Sequence, residues 1–275
     1  MEFLKMHGLG NDFIVLEGAH ALAVDDPAAL AVRLCAAHTG IGADGLVLIL
    51  PSETADARMR IFNLDGSEAE MCGNAIRCVG KRLYETGIVR EPKCTIETLG
   101  GLKTLALTVN EVHEVVSVTV DMGLPKFDPE EVPMMEATNT VRVQLGKVCT
   151  FYGVSMGNPH AVTFDCFPED GQTLRSYGSI MEGYYTFIQH TNVEFVKVLA
   201  PDHVKVQVWE RGAGATLACG TGACAVLAAG ASQGLLPRRA PIRLPGGTLL
   251  VRWDEGGHLF MTGPAETVFT GEVAL

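Results

Sequence analysis

The sequence predicts an α/β fold of two pseudo-symmetric domains, each a mixed or antiparallel sheet wrapped around a central helix. The first observation is a repeat, because Cys72 and Cys219 lie 147 residues apart (219 − 72) and Gly10-Asn11 recurs at the same offset as Gly157-Asn158. The second is that a strand-like run precedes each cysteine and a helix-like apolar run follows it. The third is the length of 275 residues, which suits two domains. Several features at one offset and in one order indicate a duplicated unit.

The boundaries of the two domains are predicted from two strand patterns that end before glycine and proline turns. These patterns are Val118–Met122 and Leu259–Thr262. We expect the chain to cross to the second domain after the first pattern and to return after the other. The predicted domains are residues 1–122 together with 263–275, and residues 123–262.

The first half of the sequence predicts strands separated by two helices. Asp26 and Pro27 are typical of a helix start, and Gly40 and Gly87 of helix ends. Helices are predicted at Ala28–Ala37 and Ala75–Glu85, and strands at Phe3–Met6, Phe13–Leu16, Leu46–Leu50, Arg58–Phe62, Thr95–Thr98, Thr104–Asn110 and Val115–Asp121.

The second half predicts a similar series of elements after a linker rich in proline and acidic residues. Its helix Ala223–Ala229 is apolar on all sides, which indicates that it is buried. A further helix is predicted around Thr173–Met181, and strands at Val141–Leu145, Phe151–Ser155, Ala161–Phe164, Thr191–Val198, Val204–Trp209, Leu249–Trp253, Leu259–Thr262 and Thr267–Phe269.

Composition excludes several classes of protein. A net charge of −11 argues against a nucleic-acid groove, and no apolar run approaches the length of a membrane span. Lys5 and His7 interrupt any signal-peptide pattern at the N-terminus.

The eight cysteines form no CxxC pair and no disulfide framework, so we expect reduced thiols and a cytoplasmic location. The six cysteines other than Cys72 and Cys219 are expected to be small buried apolar residues, namely Cys35, Cys78, Cys94, Cys149, Cys166 and Cys224.

Cys72 and Cys219 each precede a glycine at a predicted helix start. Unpaired backbone N–H groups and the helix dipole at such a position lower a thiol pKa and bind a carboxylate. Two such groups on opposite faces of a stereocentre can invert it, one removing a proton as thiolate and the other delivering one as thiol. The neighbouring loops contain no lysine to hold pyridoxal phosphate, so a reaction without cofactor is expected. No metal site is expected either, because no His/Cys spacing in the sequence is typical of one.

Six segments together resemble diaminopimelate epimerase: HGLGNDF (7–13), GIGADG (40–45), FNLDGSEAEMCGNA (62–75), GNPHAV (157–162), TNVEF (191–195) and ERGAG-T-ACGTGA (210–223). They span nearly the whole chain. The resemblance implies two similar α/β domains with the active site in the cleft between them. It implies cofactor-independent interconversion of LL- and meso-2,6-diaminopimelate, on the route to lysine and cell-wall peptide. It also implies a small amino-acid substrate as the partner and a homodimer as the common assembly.

Carried over by position, the resemblance implies a role for each matching residue. Cys72 and Cys219 would be the acid/base pair. The reacting carboxylate would be held by Gly73, Asn74, Gly220 and Thr221. The rest of the substrate would be gripped by Asn11, Asn63, Asn158, Asn192 and Arg211, with Arg211 taking the distal carboxylate in a bidentate contact. His160 and Glu210 would line the reacting centre.

The chain departs from the family pattern at two positions. Ala215 stands where a glutamate is usual, and in the repeat it pairs with Glu68 of the first half. His190 stands where an arginine is common. Both departures concern the loops around the substrate rather than the chemistry.

Two alternative functions stay open at this point. One is a two-cysteine racemase of the same superfamily that acts on proline or hydroxyproline. Asn63, Asn192 and Arg211 argue against it, because a small cyclic substrate offers no distal charge. The other is a thiol redox or binding protein in which Cys72 and Cys219 form a reversible disulfide, and this alternative predicts no exchange of an α-hydrogen.

Overall fold

The computed structural model describes residues 1–274 and divides the chain into two compact units. One unit is Met1–Val120 together with the chain from Thr262 onward, and the other is Asp121–Met261. Both contain strands and helices, and the predicted α/β class is confirmed. None of the helices within residues 1–274 is long and apolar enough to cross a membrane.

The first unit contains three helices among its strands. The helices are α1 (Gly18–Leu22), α2 (Pro27–Cys35) and α3 (Gly73–Glu85). The strands are β1 (Glu2–Gly8), β2 (Asn11–Glu17), β3 (Gly45–Leu50), β4 (Ala57–Asn63), β5 (Glu68–Ala69), β6 (Lys93–Thr98), β7 (Gly101–Val109) and β8 (Val115–Gly123), the last of which crosses the boundary.

The second unit repeats this pattern with two helices. The helices are α4 (Gly171–Glu182) and α5 (Gly220–Ser232). The strands are β9 (Thr140–Leu145), β10 (Lys147–Ser155), β11 (Pro159–Thr163), β12 (Asn192–Ala200), β13 (His203–Glu210), β14 (Gly214–Ala215), β15 (Arg239–Leu244), β16 (Gly247–Trp253) and β17 (Leu259–Gly263). The chain then returns to the first unit as β18 (Glu266–Glu272), which pairs with β1.

The strand registers of the two units match each other. In the first unit β2 pairs in parallel with β3, with Phe13 opposite Gly45. In the second, β11 pairs in parallel with β12, with His160 opposite Asn192. The parallel pairs β4–β6 and β13–β15 are likewise equivalent. Adjacent strands such as β3–β4 and β12–β13 are antiparallel, so each unit contains a mixed sheet.

Helices α3 and α5 are the central helices of the two units. Gly73–Glu85 and Gly220–Ser232 have the same length of 13 residues, and Cys72 and Cys219 are their N-caps. Each packs against strands of its own unit, α3 on β1, β2, β4, β6 and β7, and α5 on β10, β11, β12, β15 and β16. Nearly all of α5 is buried, as its apolar sequence predicts.

Helix α2 shows how local sequence sets a helix start. The Asp26 side chain accepts from Ala29 N at 3.0 Å, and Pro27 occupies the first helical position. The helix ends at Cys35 rather than at the predicted Ala37, because Ala36 has an extended backbone with ψ 122. The short helix α1 has no sequence prediction, since five residues are too few to show a helical period.

The expectation that all cysteines are reduced is wrong for one pair. Cys149 on β10 and Cys166 beyond β11 form a disulfide, with their Cα atoms 5.9 Å apart. The two strands are antiparallel neighbours, with Phe151 opposite Thr163, and this pairing brings the two cysteines together. The two cysteines are 17 residues apart in the sequence. This spacing alone does not predict the disulfide, because the two cysteines come together only when β10 pairs with β11.

Candidate active site

Cys72 is the centre of a polar cluster in the first unit. It caps α3 with an extended backbone and is half-buried, and its Sγ lies 3.9 Å from Asn11 Oδ1. Asn74 Nδ2 donates to the same oxygen at 2.9 Å. Asn11 Nδ2 in turn donates to Asp44 Oδ2 at 2.7 Å, which fixes the direction of the Asn11 amide. The structure therefore brings Asn11, Cys72, Gly73 and Asn74 together.

The turn before each site asparagine depends on glycine. Gly10 has φ 84 and Gly157 has φ 95, a region of backbone conformation that glycine enters without strain. The same conformation at equivalent positions places Asn11 and Asn158 at the same point of the two units.

The buried Arg77 supports the first turn of α3, a role that the sequence analysis does not predict. Its side chain is fully buried, and it donates from Nη1 to Gly73 O at 2.9 Å and from Nη2 to Asn74 Oδ1 at 3.0 Å. Its Nε donates to Pro264 O at 3.0 Å. Arg77 thus fixes two predicted site residues. The sequence feature that could have revealed this role is an arginine inside a helix whose neighbouring positions are apolar or small.

Asn63, also predicted to grip the substrate, is exposed at the end of β4. Its Nδ2 donates to Ser67 Oγ at 2.9 Å, so its own loop holds it in this structure.

Cys219 is the centre of the corresponding cluster in the second unit. It caps α5, and its Sγ accepts from Gly222 N at 3.3 Å and lies 3.4 Å from Thr221 Oγ1. Unlike Cys72, Cys219 is buried. Gly220 and Thr221 form the first turn of the helix beside it.

The pKa of the Cys219 thiol is raised well above its ordinary value. Burial is the largest cause, followed by the nearby carboxylates of Glu210 and Glu194, and the bonds from Thr221 and Gly222 N oppose it. The sequence predicts a lowered thiol pKa at this helix start, and the net shift of the Cys219 pKa is in the opposite direction. The helix start acts in the expected direction, but desolvation and two like charges outweigh it. Cys219 is therefore a protonated thiol near neutral pH.

The carboxyl group of Glu210 is hydrogen-bonded to the Cys219 thiol. Desolvation raises its pKa, Glu194 raises it further, and bonds from Thr216 and Cys219 and the charge of His160 act in the opposite direction. Thr216 Oγ1 donates to Glu210 Oε1 at 2.5 Å. A carboxyl group with a raised pKa in contact with a thiol is suited to exchange a proton with it.

Four of the predicted residues form one hydrogen-bonded chain. His160 is fully buried, and its Nε2 lies 3.0 Å from Asn158 Oδ1. Asn158 Nδ2 donates to Thr221 Oγ1 at 3.4 Å, and Thr221 contacts Cys219. His160 thus reaches Cys219 through Asn158 and Thr221.

Glu194 extends this chain at its buried end, although it is absent from the predicted site. Its Oε1 lies 2.8 Å from His160 Nδ1, and both side chains have no exposed surface. The available signal was a carboxylate within the apolar strand TNVEF, since a charged residue is rarely buried without a partner.

Asn192 and Arg211 occupy different environments. Asn192 is buried, its Nδ2 donates to Pro159 O at 2.9 Å, and its Oδ1 accepts from Arg211 N at 3.0 Å. Asn192 therefore positions the loop that carries Arg211. Arg211 is exposed, and its Nη1 donates to Gln189 O at 2.9 Å.

The departure from the family pattern at Ala215 is accompanied by a second difference between the two halves of the repeat, at Gln207. In the first unit Arg60 donates to both oxygens of Glu68, at 2.7 and 2.9 Å. The position equivalent to Arg60 in the second unit is Gln207, and Ala215 takes the place of Glu68 in the same strand register. Both members of the ion pair are thus replaced together. The second departure, His190, is exposed and adopts φ 59.

Within residues 1–274, no group of three histidine, cysteine, aspartate or glutamate side chains is arranged to hold a metal ion.

The chain shares its overall fold with a solved epimerase structure. The solved structure of a hydroxyproline epimerase from Agrobacterium vitis aligns with a TM-score of 0.75 at 20% identity, covering 100% of this chain and 92% of that one. A family model described as diaminopimelate epimerase matches residues 3–127 and 152–268. The chain belongs to the diaminopimelate epimerase family and is an isomerase.

Full-length relatives agree with the family model. The diaminopimelate epimerase of Carboxydothermus hydrogenoformans is 50% identical over 281 residues and covers 100% of both chains. That of Desulforudis audaxviator is 49% identical over 280 residues and covers 99% of both chains.

The burial of the thiols predicts an ordered pattern of alkylation. Burial raises the pKa of Cys35 to about 11 and the pKa values of Cys78 and Cys94 to about 12. At pH 8 such thiols are ionised to about one part in a thousand or less, and the thiolate is the reactive form. We expect iodoacetamide to label the half-buried Cys72 of the native protein first.

Peptide mass spectrometry over a labelling time course measures this pattern. The three high-pKa cysteines should be labelled only after unfolding, and the Cys149–Cys166 pair only after reduction as well. Labelling of Cys78 in the native protein as fast as Cys72 would contradict the prediction.

Proposed function

We propose that the chain interconverts LL- and meso-2,6-diaminopimelate by a two-base reaction of Cys72 and Cys219 that uses no cofactor. The observation that carries this proposal is the equivalent position of the two thiols, each the N-cap of the central helix of its unit. Membership of the diaminopimelate epimerase family supports the substrate. The cysteine pair supplies the two acid/base groups that inversion of a stereocentre requires.

The proposed reaction balances as a proton transfer on each side of the α-carbon. One cysteine as thiolate takes the α-proton, and the electron pair of the broken C–H bond moves onto the substrate carboxylate. The other cysteine as thiol then donates its proton to the opposite face, and the electron pair forms the new C–H bond. The roles of the thiols exchange when the reaction runs in reverse.

The helix starts stabilise the charge that develops on the substrate carboxylate. Gly73 and Asn74 lie in the first turn of α3, and Gly220 and Thr221 in the first turn of α5, where backbone N–H groups have no partner within the helix. Donors already in place at the developing charge lower the barrier because they need no reorganisation.

Glu210 and His160 set the protonation state of Cys219. The raised pKa of Cys219 keeps the thiol protonated, so it holds the proton that it delivers in one direction of the reaction. In the other direction it must act as thiolate, and Glu210 accepts its proton across their hydrogen bond. His160 supports this transfer, because its charge lowers the pKa of Glu210 and so favours the ionised carboxylate.

The remaining predicted residues bind the rest of the substrate. Arg211, with its exposed guanidinium, takes the distal carboxylate in a bidentate contact. Asn11, Asn63 and Asn158 supply amide contacts, and Asn192 acts by holding the Arg211 backbone.

We also propose that the protein acts in the cytoplasm as a homodimer, on the route to lysine and cell-wall peptide. The resemblance to the family supports this assembly. Analytical ultracentrifugation should give twice the mass of 29.3 kDa, and a monomer would contradict it.

Deuterium exchange tests the proposed reaction. The purified protein, incubated with LL-diaminopimelate in D₂O without added cofactor, should produce the meso isomer with deuterium at the α-position. L-Proline under the same conditions is the control and should not exchange. Exchange of proline alone would favour the racemase alternative, and exchange of neither substrate would contradict the proposal.

A further inference from the structure

Glu194 is the most deeply buried carboxylate of the second unit, and the proposed reaction gives it no role. It has no exposed surface, and its Oε1 contacts His160 Nδ1 at 2.8 Å. Its Oε2 has no hydrogen-bond partner within the described part of the chain. A Cβ at Gly222 would lie 2.5 Å from Glu194 Oε1, so glycine at this position leaves room for the carboxylate beside the start of α5.

The neighbours of His160 determine which ring nitrogen donates. Asn158 Nδ2 donates to Thr221 Oγ1, so Asn158 Oδ1 faces His160 Nε2 at 3.0 Å. An amide oxygen only accepts, and His160 Nε2 therefore carries a proton. On the other side, Nδ1 and Glu194 Oε1 need one proton between them to form their hydrogen bond.

The direction of this chain reaches the Cys219 thiol. Because Thr221 Oγ1 accepts from Asn158, its own proton is available to Cys219 Sγ at 3.4 Å. That bond favours the thiolate and lowers the pKa of Cys219 against the effect of burial. The other neutral tautomer of His160 would reverse the Asn158 amide and turn the Thr221 proton away from the sulfur.

We propose that Glu194 is a positioning residue that holds His160 with its Nε2 proton toward Asn158 and thereby directs the Thr221 hydroxyl to Cys219. Glu194 and His160 share one proton between Oε1 and Nδ1, and the pair carries no net charge whichever atom holds it. A fully buried site accommodates a pair without net charge at a lower free-energy cost than a single charge. The neutral pair also lowers the cost of burying Glu194 Oε2, which has no hydrogen-bond partner within the described residues. The effect of Glu194 on epimerisation rests on the proposed function, whereas its effect on His160 does not.

The wild-type protein tests the His160 part of the proposal directly. Long-range ¹H–¹⁵N NMR of protein labelled with ¹⁵N-histidine reports which ring nitrogens carry protons, and a His160→Asn variant assigns the signal. We expect a protonated Nε2 at neutral pH. A His160 ring with a bare Nε2 would overturn the proposal without any reference to activity.

Two substitutions test the kinetic part. Glu194→Gln keeps an N–H donor toward Nδ1 and should retain most of the kcat and the Nε2-protonated ring. Glu194→Leu removes the hydrogen bond and should lower kcat by about 10- to 100-fold, as loss of an orienting partner does. KM should change little, because residue 194 has no surface that substrate can reach. Lys197→Leu, at a position of the same strand where the side chain is 42% exposed, is the matched control and should behave as wild type.

The outcomes separate the two proposals. A wild-type protein that fails to exchange deuterium contradicts the proposed function, while the NMR result still decides the role of Glu194. Wild-type kcat in Glu194→Leu would overturn the positioning role. Glu194→Gln impaired as strongly as Glu194→Leu, with both variants as stable as wild type to urea, would also overturn it. If Glu194→Leu does not fold, the NMR measurement and Glu194→Gln still decide.

Discussion

Cys72→Ala and Cys219→Ala should each lower the kcat for epimerisation by about 10³-fold or more. Acid/base groups typically contribute 10²- to 10⁴-fold, and neither thiol can replace the other, because in the proposed reaction each acts on one face of the α-carbon. Loss of either group therefore stops the reaction at the same stereocentre. The measurement is the rate of formation of meso-diaminopimelate, with circular dichroism and urea unfolding as checks of the fold.

Cys94→Ala is the control for this pair of substitutions. Cys94 is a buried thiol on β6 with a pKa raised to about 12, and it lies outside the proposed site. It should lose some stability and retain most of its kcat. If Cys72→Ala or Cys219→Ala kept most of the wild-type activity, the assignment of two bases would be wrong.

Arg77→Ala should destabilise the protein by about 3 kcal/mol or more and should lower activity as well. The guanidinium is fully buried and donates to Gly73 O, Asn74 Oδ1 and Pro264 O, and hydrogen bonds from a charged group contribute about 1.5–3 kcal/mol each. Truncation removes all three of these hydrogen bonds and opens a cavity at the start of α3. Urea unfolding measures the change in the free energy of unfolding.

Arg175→Ala is the control for Arg77, because Arg175 is exposed on α4. Its stability should remain within about 0.5 kcal/mol of wild type. An Arg77→Ala protein as stable as this control would show that Arg77 does not support the helix start. Arg77→Lys should not restore stability, since one ammonium cannot reproduce the three directions of the guanidinium.

The features that the sequence predicts best depend on short-range patterns. The apolar run that follows Cys219-Gly220 identifies α5, and Asp26 with Pro27 identifies the start of α2. The repeat then extends these local patterns to the whole chain, because equivalent positions share equivalent registers. Strand β15 received no predicted bounds, since Pro241 interrupts its pattern.

The features that the sequence does not predict depend on contacts between distant segments. The Cys149–Cys166 disulfide follows from the pairing of β10 with β11, and the role of Arg77 depends on Pro264, far away in the sequence. The thiol pKa of Cys219 shows the same limit. Its helix start is visible in the sequence, but its burial and its distance from Glu194 and Glu210 are not.

The Arg60–Glu68 ion pair marks a place where the two halves of the repeat differ in their charged residues. Losing one member alone would leave a half-buried charge without its counterion. The second unit has neither charge, since Gln207 and Ala215 occupy the equivalent positions, so no charge is left unpaired there. The cysteines and glycines thus keep the repeat visible in both halves, while this charged cross-link is present in one half and absent from the other.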